Sequence, residues 1–242
     1  GLNPVVVHGG GPQINQVLDR RGIRPQFVRG MRMTDAATMD VVEMVLGGKV
    51  NKSIVALINR HGGRAVGLSG KDGGLIQAEK LHIVKQESAD APPEIIDPGL
   101  VGRVTRVNPE IIHTLSQKGF IPVVAPVGTG PAGETFNINA DLVASHIAVA
   151  LSAGRLIYLT DVDGVLDGSG RLISSIRAGE AQELIRGQVI TGGMIPKIEY
   201  ALAAVGGGVT RFGAGAHGEI ALHAPLMLAP VGTLSLTGRS VR

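Results

Sequence analysis

The sequence predicts an α/β fold with a mainly parallel sheet, because short runs of β-branched residues alternate along the chain with helical stretches. Glycine accounts for 36 of the 242 residues, about twice its usual share of roughly 7%, which indicates many tight loops. Apolar residues make up 44% of the chain and charged residues 18%, a balance that is typical of a chain that buries a core. We therefore expect a globular α/β protein, and no internal repeat is visible.

The first part of the chain is predicted to supply parallel strands and the helices that connect them. The predicted elements are strands at 4–7 and 65–69 and helices at 12–21 and 35–61. Pro12 stands at the first turn of its helix, where proline is favoured, and Asp35 is the predicted N-cap of the long helix. Gly47 and Gly48 fall in the middle of that helix, where glycine weakens the helical conformation.

The region between Leu75 and Val107 has a different pattern, in which short alternating segments are separated by turn-forming residues. This pattern predicts antiparallel hairpins. The parallel pattern then returns, with predicted helices at 108–118, 140–151, 178–186 and 195–205 and predicted strands at 120–125 and 155–160. Asn108 is the predicted cap of the first of these helices. The segment after Gly206 has no pattern that predicts an element.

Charge and composition exclude several classes of function. The net charge is only +3 and aromatic residues form 2% of the chain, so a nucleic-acid partner is not expected. The absence of cysteine excludes a disulfide and a thiolate nucleophile and fits the cytosol. No apolar run reaches the length of a transmembrane helix. The chain lacks an initiator Met and opens almost directly on a strand, which indicates a fragment or a processed form.

A glycine turn is the first candidate for chemistry. The segment VHGGGP at residues 7–12 places three glycines between a predicted strand and a predicted helix. Their backbone N–H groups, together with the positive end of the helix, can cradle a phosphate or a carboxylate. The same segment also suits a tight turn that binds nothing. The context favours the cradle, although a glycine-rich turn alone is weak evidence.

Three other motifs are excluded because the sequence lacks a residue that each one requires. The nucleophile elbow of esterases needs a glycine at the position of Lys71, after the segment GLSG. The P-loop pattern needs Ser or Thr at the position of Asp72. The dinucleotide-binding fingerprint needs its last glycine at the position of Ile14.

Two polar motifs precede predicted helices. In GMRMTD (30–35), Arg32 can clamp a carboxylate through two N–H groups, although spacing alone slightly favours a surface arginine paired with an acid. In FNINAD (136–141), Asn139 and Asp141 fit a helix start. Capping leaves Asn137 unexplained, so ligand binding and helix capping both stay open for this motif.

Two motifs in the second half fit a nucleotide or phosphoryl site. YLTDVDGVLDG (158–168) carries an acidic loop at the carboxyl end of a buried strand, where open α/β sheets bind ligands. An Asp-Gly turn is the structural alternative, and Val165 excludes an EF-hand loop. In TGGMIPKI (191–198), Lys197 lies near a helix start, where a cation opposes the helix dipole. This placement suggests a lysine that stabilises a transferring phosphoryl group, with an exposed lysine as the alternative.

Seven collinear motifs between residues 1 and 206 resemble the amino acid kinase family, and within it the N-acetylglutamate kinases. They are VVVHGGGPQI, GMRMTD, GLSGKDGGLI, PVVAPVG, FNINAD, YLTDVDGVL and ITGGMIPKI. The residues of the first, second and fifth motifs favour this group over aspartate, glutamate 5-, carbamate and uridylate kinases. The resemblance implies a three-layer αβα sandwich with a mainly parallel central sheet, like that of carbamate kinase. It also implies a substrate-binding and dimerisation lobe at 1–153 and a nucleotide-binding lobe at 154–242.

The resemblance further implies an activity, which is ATP-dependent phosphorylation of the γ-carboxylate of N-acetyl-L-glutamate in arginine biosynthesis. Mg²⁺ would be held mainly by the phosphates, and the protein would be a cytoplasmic homodimer or hexamer with no nucleic-acid or membrane partner. Substrate binding falls to Gly10, Gly11, Arg32 and Asn137, catalysis to Asp141 and Lys197, and nucleotide binding to Asp161, Val162, Asp163, Gly164, Val165, Leu166, Val189, Ile190 and Thr191.

Two departures from the family pattern qualify these expectations. The family begins with a strand carrying K-x-G-G, and this chain starts after it, so we expect the fold to lack that strand and the isolated chain to be weakly active or inactive. From Val209 onward the sequence departs from the family's usual end, so feedback by arginine is not predictable. The alternatives are a kinase for a related N-acylated amino acid, such as acetylaminoadipate, and a non-catalytic ligand-binding or regulatory form of the fold.

Overall fold

The computed structural model describes residues 3–28, 30–85, 94–160, 164–167, 169–173, 175–216 and 235–237. The chain divides into two compact units, Asn3–Val143 and a second unit that begins at Ala144. The assignment of residues 1–153 to substrate and of residues 154–242 to nucleotide stays a prediction.

The first unit contains most of the short strands. Its elements, in chain order, are β1 (Val6–Val7), α1 (Gly11–Arg20), β2 (Phe27–Val28), β3 (Met31–Arg32), α2 (Ala36–Glu43), a π-helical segment (Met44–Val50), α3 (Asn51–Arg60), β4 (Ala65–Ser69), a 3₁₀ turn (Asp72–Gly74), β5 (Ile76–Lys80), β6 (Ile83–Lys85), β7 (Glu94–Ile96), β8 (Gly102–Val107), α4 (Glu110–Gln117), β9 (Ile121–Ala125), β10 (Val127–Thr129) and β11 (Thr135–Asn137).

The second unit begins at Ala144, within a helix. The remaining elements are α5 (Ala140–Ala150), β12 (Arg155–Thr160), β13 (Ser175–Arg177), α6 (Ala178–Arg186), α7 (Met194–Gly206), β14 (Arg211–Ala216) and β15 (Ser235–Thr237). The alternation of strands and helices confirms the predicted α/β class. No helix in the described ranges combines the length and the apolarity that a membrane crossing requires.

A parallel sheet with the strand order β1-β9-β4 forms the centre of the first unit. Val6 pairs with Val123, and Ala65 pairs with Ile121. The middle strand is an apolar run whose valines are fully buried, as expected for a strand covered on both faces. Helices α3 and α4 both pack against β9. The carboxyl ends of all three strands therefore lie at one edge, next to the glycine turn that follows β1.

The predicted antiparallel region is confirmed, since β5 pairs with β8 and β6 pairs with β7 in antiparallel register. The sequence did not predict β10 or the short β2–β3 hairpin. Strands β11, β10, β5 and β8 form a four-stranded sheet in that order. Strands β2, β3 and β10 have three residues or fewer, too few to show a period of two.

The long helix predicted between residues 35 and 61 is confirmed, with a π-helical segment in its middle. The carboxylate of Asp35 accepts a hydrogen bond from the backbone N–H of Thr38 at 2.7 Å, which confirms the predicted cap. Gly47 and Gly48 lie in the π-helical segment between α2 and α3. The predicted weak point is therefore confirmed, because at the two glycines the helix widens into a π-helical turn without ending.

In the second unit, the sheet has the strand order β12-β14-β15-β13. Strand β14 pairs in parallel with all six residues of β12, from Arg155–Arg211 to Thr160–Ala216. Both β14 and β15 lie after Gly206, where the sequence predicted no element. Phe212 is buried in the core of this unit. Strand β14 was not predicted because the glycines and alanines of RFGAGA have low strand propensity.

Helix α4 shows a smaller difference from prediction. It begins at Glu110, and Pro109 occupies its N-cap position. The side-chain oxygen of Asn108 still accepts a hydrogen bond from the backbone N–H of Glu110 at 3.3 Å. The predicted cap is therefore one residue too early, although its side chain does bind the first turn.

Candidate functional site

The glycine turn lies between β1 and α1 and has one packed side and one open side. A Cβ atom added at Gly10 would lie 2.7 Å from Cδ2 of Leu46 and 3.2 Å from Cγ2 of Val50, both in the π-helical segment. A Cβ atom added at Gly11 would meet no described atom within 4 Å. The first N–H groups of a helix lack intrahelical partners and carry positive partial charge. The turn can therefore present backbone donors toward the open space beside Gly11.

Arg32 lies beside this turn and is buried, with 7% of its surface exposed. Its Nη2 donates to the side-chain oxygen of Asn15 at 2.7 Å and lies 3.4 Å from the carbonyl oxygen of Gly11. The guanidinium also lies 4.8 Å from the centre of the Phe27 ring. These partners are neutral, so the interpretation as a surface arginine paired with an acid was wrong.

The other terminal nitrogen of Arg32 is buried and unpaired. Within the described ranges, no group accepts a hydrogen bond from Nη1. Burial lowers the pKa of Arg32 below its usual value, but a guanidinium remains charged at neutral pH. A buried charged donor without an acceptor is costly. A carboxylate bound at Nη1 would remove that cost, and this arrangement supports an anion site next to Gly11.

Asn137 joins the same cluster through Thr34. The hydroxyl of Thr34, which is buried, donates to the carbonyl oxygen of Arg32 at 2.8 Å. The side-chain amide of Asn137 donates to that hydroxyl at 3.2 Å. This places Asn137 at one end of a hydrogen-bonded chain that begins on the strand of Arg32. The structure thus brings together Gly11, Arg32 and Asn137 within the first unit.

The start of α5 lies next to the turn as well. The side-chain oxygen of Asn139 accepts hydrogen bonds from the backbone N–H groups of Asp141 at 2.8 Å and of Leu142 at 3.2 Å. Asn139 is therefore a helix cap, as one of the two interpretations of this motif held. A Cβ atom at Gly9 would lie 3.9 Å from Cβ of Ala140. The first turn of α5, which carries Asp141, thus adjoins the glycine turn.

Lys197 belongs to the second unit and lies in the first turn of α7. Its Nζ lies 5.8 Å from the centre of the Tyr158 ring. The Tyr158 hydroxyl lies 2.6 Å from the Ser145 hydroxyl oxygen, and the Tyr158 ring packs edge-on against Phe212 at 4.9 Å. The aromatic side chain is thus fixed on two sides. Lys197 is half-buried, so the interpretation as an exposed surface lysine was wrong.

Comparisons with known proteins identify the family. The profile of the amino acid kinase family matches residues 1–212. The chain belongs to the amino acid kinase family. It is 61% identical over 211 residues to the acetylglutamate kinase of Syntrophobacter fumaroxidans, covering 87% of this chain and 71% of that protein. It is 57% identical to the acetylglutamate kinase of Desulfotalea psychrophila over the same shares.

Two solved structures are also similar. The smu.665 protein of Streptococcus mutans has a TM-score of 0.78 and 31% identity, covering 97% of this chain and 86% of that one. The carbamate kinase of Giardia lamblia bound to AMP-PNP has a TM-score of 0.57 and 15% identity, covering 89% and 80%. The second likeness concerns the fold alone, and it agrees with the predicted carbamate kinase-like architecture.

The predicted nucleotide residues of this amino acid kinase domain fall partly within the described ranges. Asp161, Val162 and Asp163 lie outside them. Gly164 and Val165 are buried, whereas Leu166 is exposed and forms a bridge with Leu172. At the second predicted segment, the N–H groups of Val189 and Ile190 both donate to the carbonyl oxygen of Leu184, and Thr191 is exposed. The two segments keep their predicted nucleotide role as a proposal.

Sequence reasoning missed four polar residues that hold the cluster in place. They are His8, Asn15, Thr34 and Asn51. Asn51 is fully buried, and its side-chain nitrogen contacts Nε2 of His8 at 3.1 Å. The sequence did contain a signal for two of them. Asn51 follows two glycines within a predicted helix, and His8 ends an apolar strand. Polar residues at such positions are unusual in a buried core.

Proposed function

We propose that this chain is a kinase that transfers the γ-phosphoryl group of ATP to the γ-carboxylate of N-acetyl-L-glutamate, giving N-acetyl-L-glutamyl 5-phosphate for arginine biosynthesis. Identity of 61% to an acetylglutamate kinase over 87% of the chain supports the substrate. The observation that carries the proposal is the unpaired, buried Nη1 of Arg32 beside the open face of the glycine turn.

The substrate offers two carboxylates, and they would have different partners. A guanidinium held against the reacting carboxylate would reduce its nucleophilicity, so Arg32 is better suited to the other carboxylate. The side chain then extends from Arg32 toward the open space at Gly11. Asn137, whose amide is oriented by Thr34, would bind a polar group of the acetylated amino acid. This division leaves the γ-carboxylate near backbone donors that can also receive a phosphoryl group.

The reaction itself needs little covalent help from the protein. An oxygen of the γ-carboxylate attacks the γ-phosphorus of ATP, and the bond to the β,γ-bridging oxygen breaks as ADP leaves. The attacking carboxylate carries no proton at neutral pH, so no general base is required. The protein must align two anions and balance the charge of the transferring group. Backbone donors at Gly10 and Gly11 would supply part of that balance.

Lys197 would supply a positive charge, and Asp141 would help to orient the catalytic lysines, which are Lys197 and the lysine of the family's K-x-G-G motif. Mg²⁺ would arrive bound to the phosphates of ATP. Within the described ranges, no cluster of three or more His, Asp or Glu side chains could hold a metal. The segments 161–166 and 189–191 would line the ATP site.

We also propose that the protein is cytoplasmic and that it assembles as a homodimer or hexamer. Membership of the amino acid kinase family supports this assembly. Light scattering on the purified chain would measure the mass directly. A monomeric mass at micromolar concentration would contradict the proposed assembly without affecting the proposed reaction.

Calorimetry and a turnover assay test the proposed function together. The titrants are N-acetyl-L-glutamate, N-acetyl-L-2-aminoadipate and L-glutamate, followed by ATP with Mg²⁺. We expect the first titrant to bind most tightly and to support formation of ADP. Tighter binding of the longer homologue would favour a kinase for that substrate. Binding of both reactants without detectable formation of ADP would favour a non-catalytic form.

A further inference from the structure

We propose that His8 and Asn51 are positioning residues for the glycine turn: Asn51 holds the His8 ring as its neutral Nδ1–H tautomer, and that ring fixes the peptide that presents the N–H of Gly10. The tautomer of His8 and its contact with the turn are inferred from hydrogen-bond geometry and do not depend on the proposed function. The consequence for ligand binding rests on the proposed function. Neither residue was among the predicted site residues.

Asn51 is oriented by two backbone carbonyl oxygens of the parallel strands β4 and β9, and it also contacts the ring of His8, which follows β1. It is the first residue of α3 and has no exposed surface. Its Nδ2 lies 2.9 Å from the carbonyl oxygen of Val123, 3.3 Å from that of Leu68 and 3.1 Å from Nε2 of His8. The two carbonyl oxygens only accept, so the amide nitrogen must face them. A flipped amide would place its oxygen against both carbonyls, at the cost of unpaired buried acceptors.

The orientation of Asn51 dictates the protonation of His8. Because Nδ2 of Asn51 is a donor, Nε2 of His8 must be the acceptor, and the ring proton must lie on Nδ1. Nδ1 lies 2.9 Å from the carbonyl oxygen of Gly9, so it can donate to that oxygen. A second proton on Nε2 would face the donor of Asn51 and have no acceptor. The neutral Nδ1–H ring is therefore the form that sets no donor against a donor in the network.

The charges around His8 favour the neutral form as well. Burial lowers the pKa of His8, and the positive charge of Lys52 lowers it further, whereas the hydrogen bond to Gly9 raises it. Nζ of Lys52 lies 3.2 Å from the side-chain oxygen of Asn51 and 3.4 Å from the carbonyl oxygen of Gly67. Strands β4 and β9 present backbone carbonyl groups to the network.

The link to ligand binding passes through a single peptide unit. The carbonyl of Gly9 and the N–H of Gly10 belong to one planar trans peptide and point in opposite directions. Fixing the carbonyl toward the His8 ring therefore directs the N–H of Gly10 away from it. On its other side, Gly10 is held by Leu46 and Val50 of the π-helical segment. The turn is thus fixed before any anion arrives, which reduces the ordering cost of binding.

The first test needs no ligand. Long-range ¹H–¹⁵N NMR on the intact chain at neutral pH reports the tautomer of each histidine, and the spectrum of an His8→Asn variant identifies the His8 signals. We expect the Nδ1–H form at His8, and loss of this form in Asn51→Leu. An Nε2–H tautomer or an imidazolium at neutral pH in the wild-type chain would overturn the proposal.

The second test uses two nearly isosteric replacements of His8. Asparagine places an amide donor near the position of Nδ1 and can keep the bond to Gly9, whereas glutamine places its amide near Nε2 and cannot. In ¹⁵N-glycine spectra, we expect the Gly10 signal to stay close to wild type in His8→Asn and to shift in His8→Gln. Titration with N-acetyl-L-glutamate should give about tenfold weaker binding for His8→Gln than for His8→Asn.

These outcomes separate the two proposals. Equal Gly10 signals and equal affinities in the two variants would contradict a positioning role. If wild type does not bind N-acetyl-L-glutamate, the proposed function fails, while the tautomer and the Gly10 signal still decide the role of His8. If His8→Gln does not fold, the tautomer measurement on wild type and Asn51→Leu decides it.

Discussion

Replacing Arg32 with methionine should separate the stability of the fold from its affinity for substrate. The change removes the guanidinium and keeps much of the aliphatic stem. The ligand-free fold loses the hydrogen bond from the charged guanidinium to Asn15, worth roughly 1.5–3 kcal/mol, and a contact with the half-exposed Phe27 ring, worth roughly 0.5–1 kcal/mol. It also loses a buried charged donor without an acceptor, whose burial costs more than the roughly 1–3 kcal/mol of a neutral donor, so the two effects are of similar size. The free energy of unfolding should therefore change by less than about 1 kcal/mol.

The effect on binding should be much larger. A hydrogen bond between charged partners contributes roughly 1.5–3 kcal/mol, so loss of Nη1 as a carboxylate donor predicts roughly 10- to 150-fold weaker binding of N-acetyl-L-glutamate. Urea unfolding measures the free energy of unfolding, and calorimetry measures the affinity for N-acetyl-L-glutamate. Arg24→Met, at an exposed position after α1, is the matched control and should change neither. Affinity within about twofold of wild type in Arg32→Met would refute the carboxylate site at Nη1.

Three further predictions concern the turn, a helix cap and a titration. Gly10→Ala should lower the free energy of unfolding by roughly 1–3 kcal/mol, because its Cβ would lie 2.7 Å from Cδ2 of Leu46 in the π-helical segment. Gly11→Ala should leave the free energy of unfolding within about 1 kcal/mol of wild type, because its Cβ enters open space. The same Cβ should weaken substrate binding, because it occupies that space. Asp35→Ala should cost about 1 kcal/mol through the lost cap of α2. Below the usual histidine pKa of about 6.5, wild type should lose stability more steeply than His8→Asn, because the unfolded chain takes up a proton before the pKa of buried His8 is reached.

Denaturant titrations check all three, and each has a specific contrary result. Equal stability of the two glycine variants would contradict the packed and open sides of the turn. A change below a few tenths of a kcal/mol in Asp35→Ala would show that the cap contributes little. His146 also has a pKa lowered by burial, so the difference between wild type and His8→Asn isolates His8. Parallel pH profiles of the two chains would exclude its titration as the cause.

The regular part of the fold was predictable because local patterns agreed with tertiary structure. Strand β12 and helix α6 have the predicted bounds, since an apolar run and an amphipathic stretch each carry their own signal. The loosened turn at Gly47 and Gly48 was predictable as well, because glycine weakens a helix. The strand in RFGAGA was not predictable in the same way, because it depends on pairing with β12, which is distant in sequence.

The sequence indicated Arg32 as a candidate site residue, but it did not indicate the residues that hold Arg32 in place. The motif around Arg32 indicated a carboxylate partner, but spacing alone could not show that the guanidinium is buried and half-paired. Thr34 and Asn15 act through contacts with residues 103 and 17 positions away, respectively. Such pairs leave no periodic trace in one sequence, because their proximity comes from how the strands are paired rather than from local propensity.

A crystal structure of the chain with N-acetyl-L-glutamate tests the central claim most directly. It predicts a substrate carboxylate oxygen at about 3 Å from Nη1 of Arg32, with the other carboxylate directed toward the N–H groups of Gly10 and Gly11. A complex in which Nη1 still lacks an acceptor, or in which the ligand lies away from the glycine turn, would contradict the account.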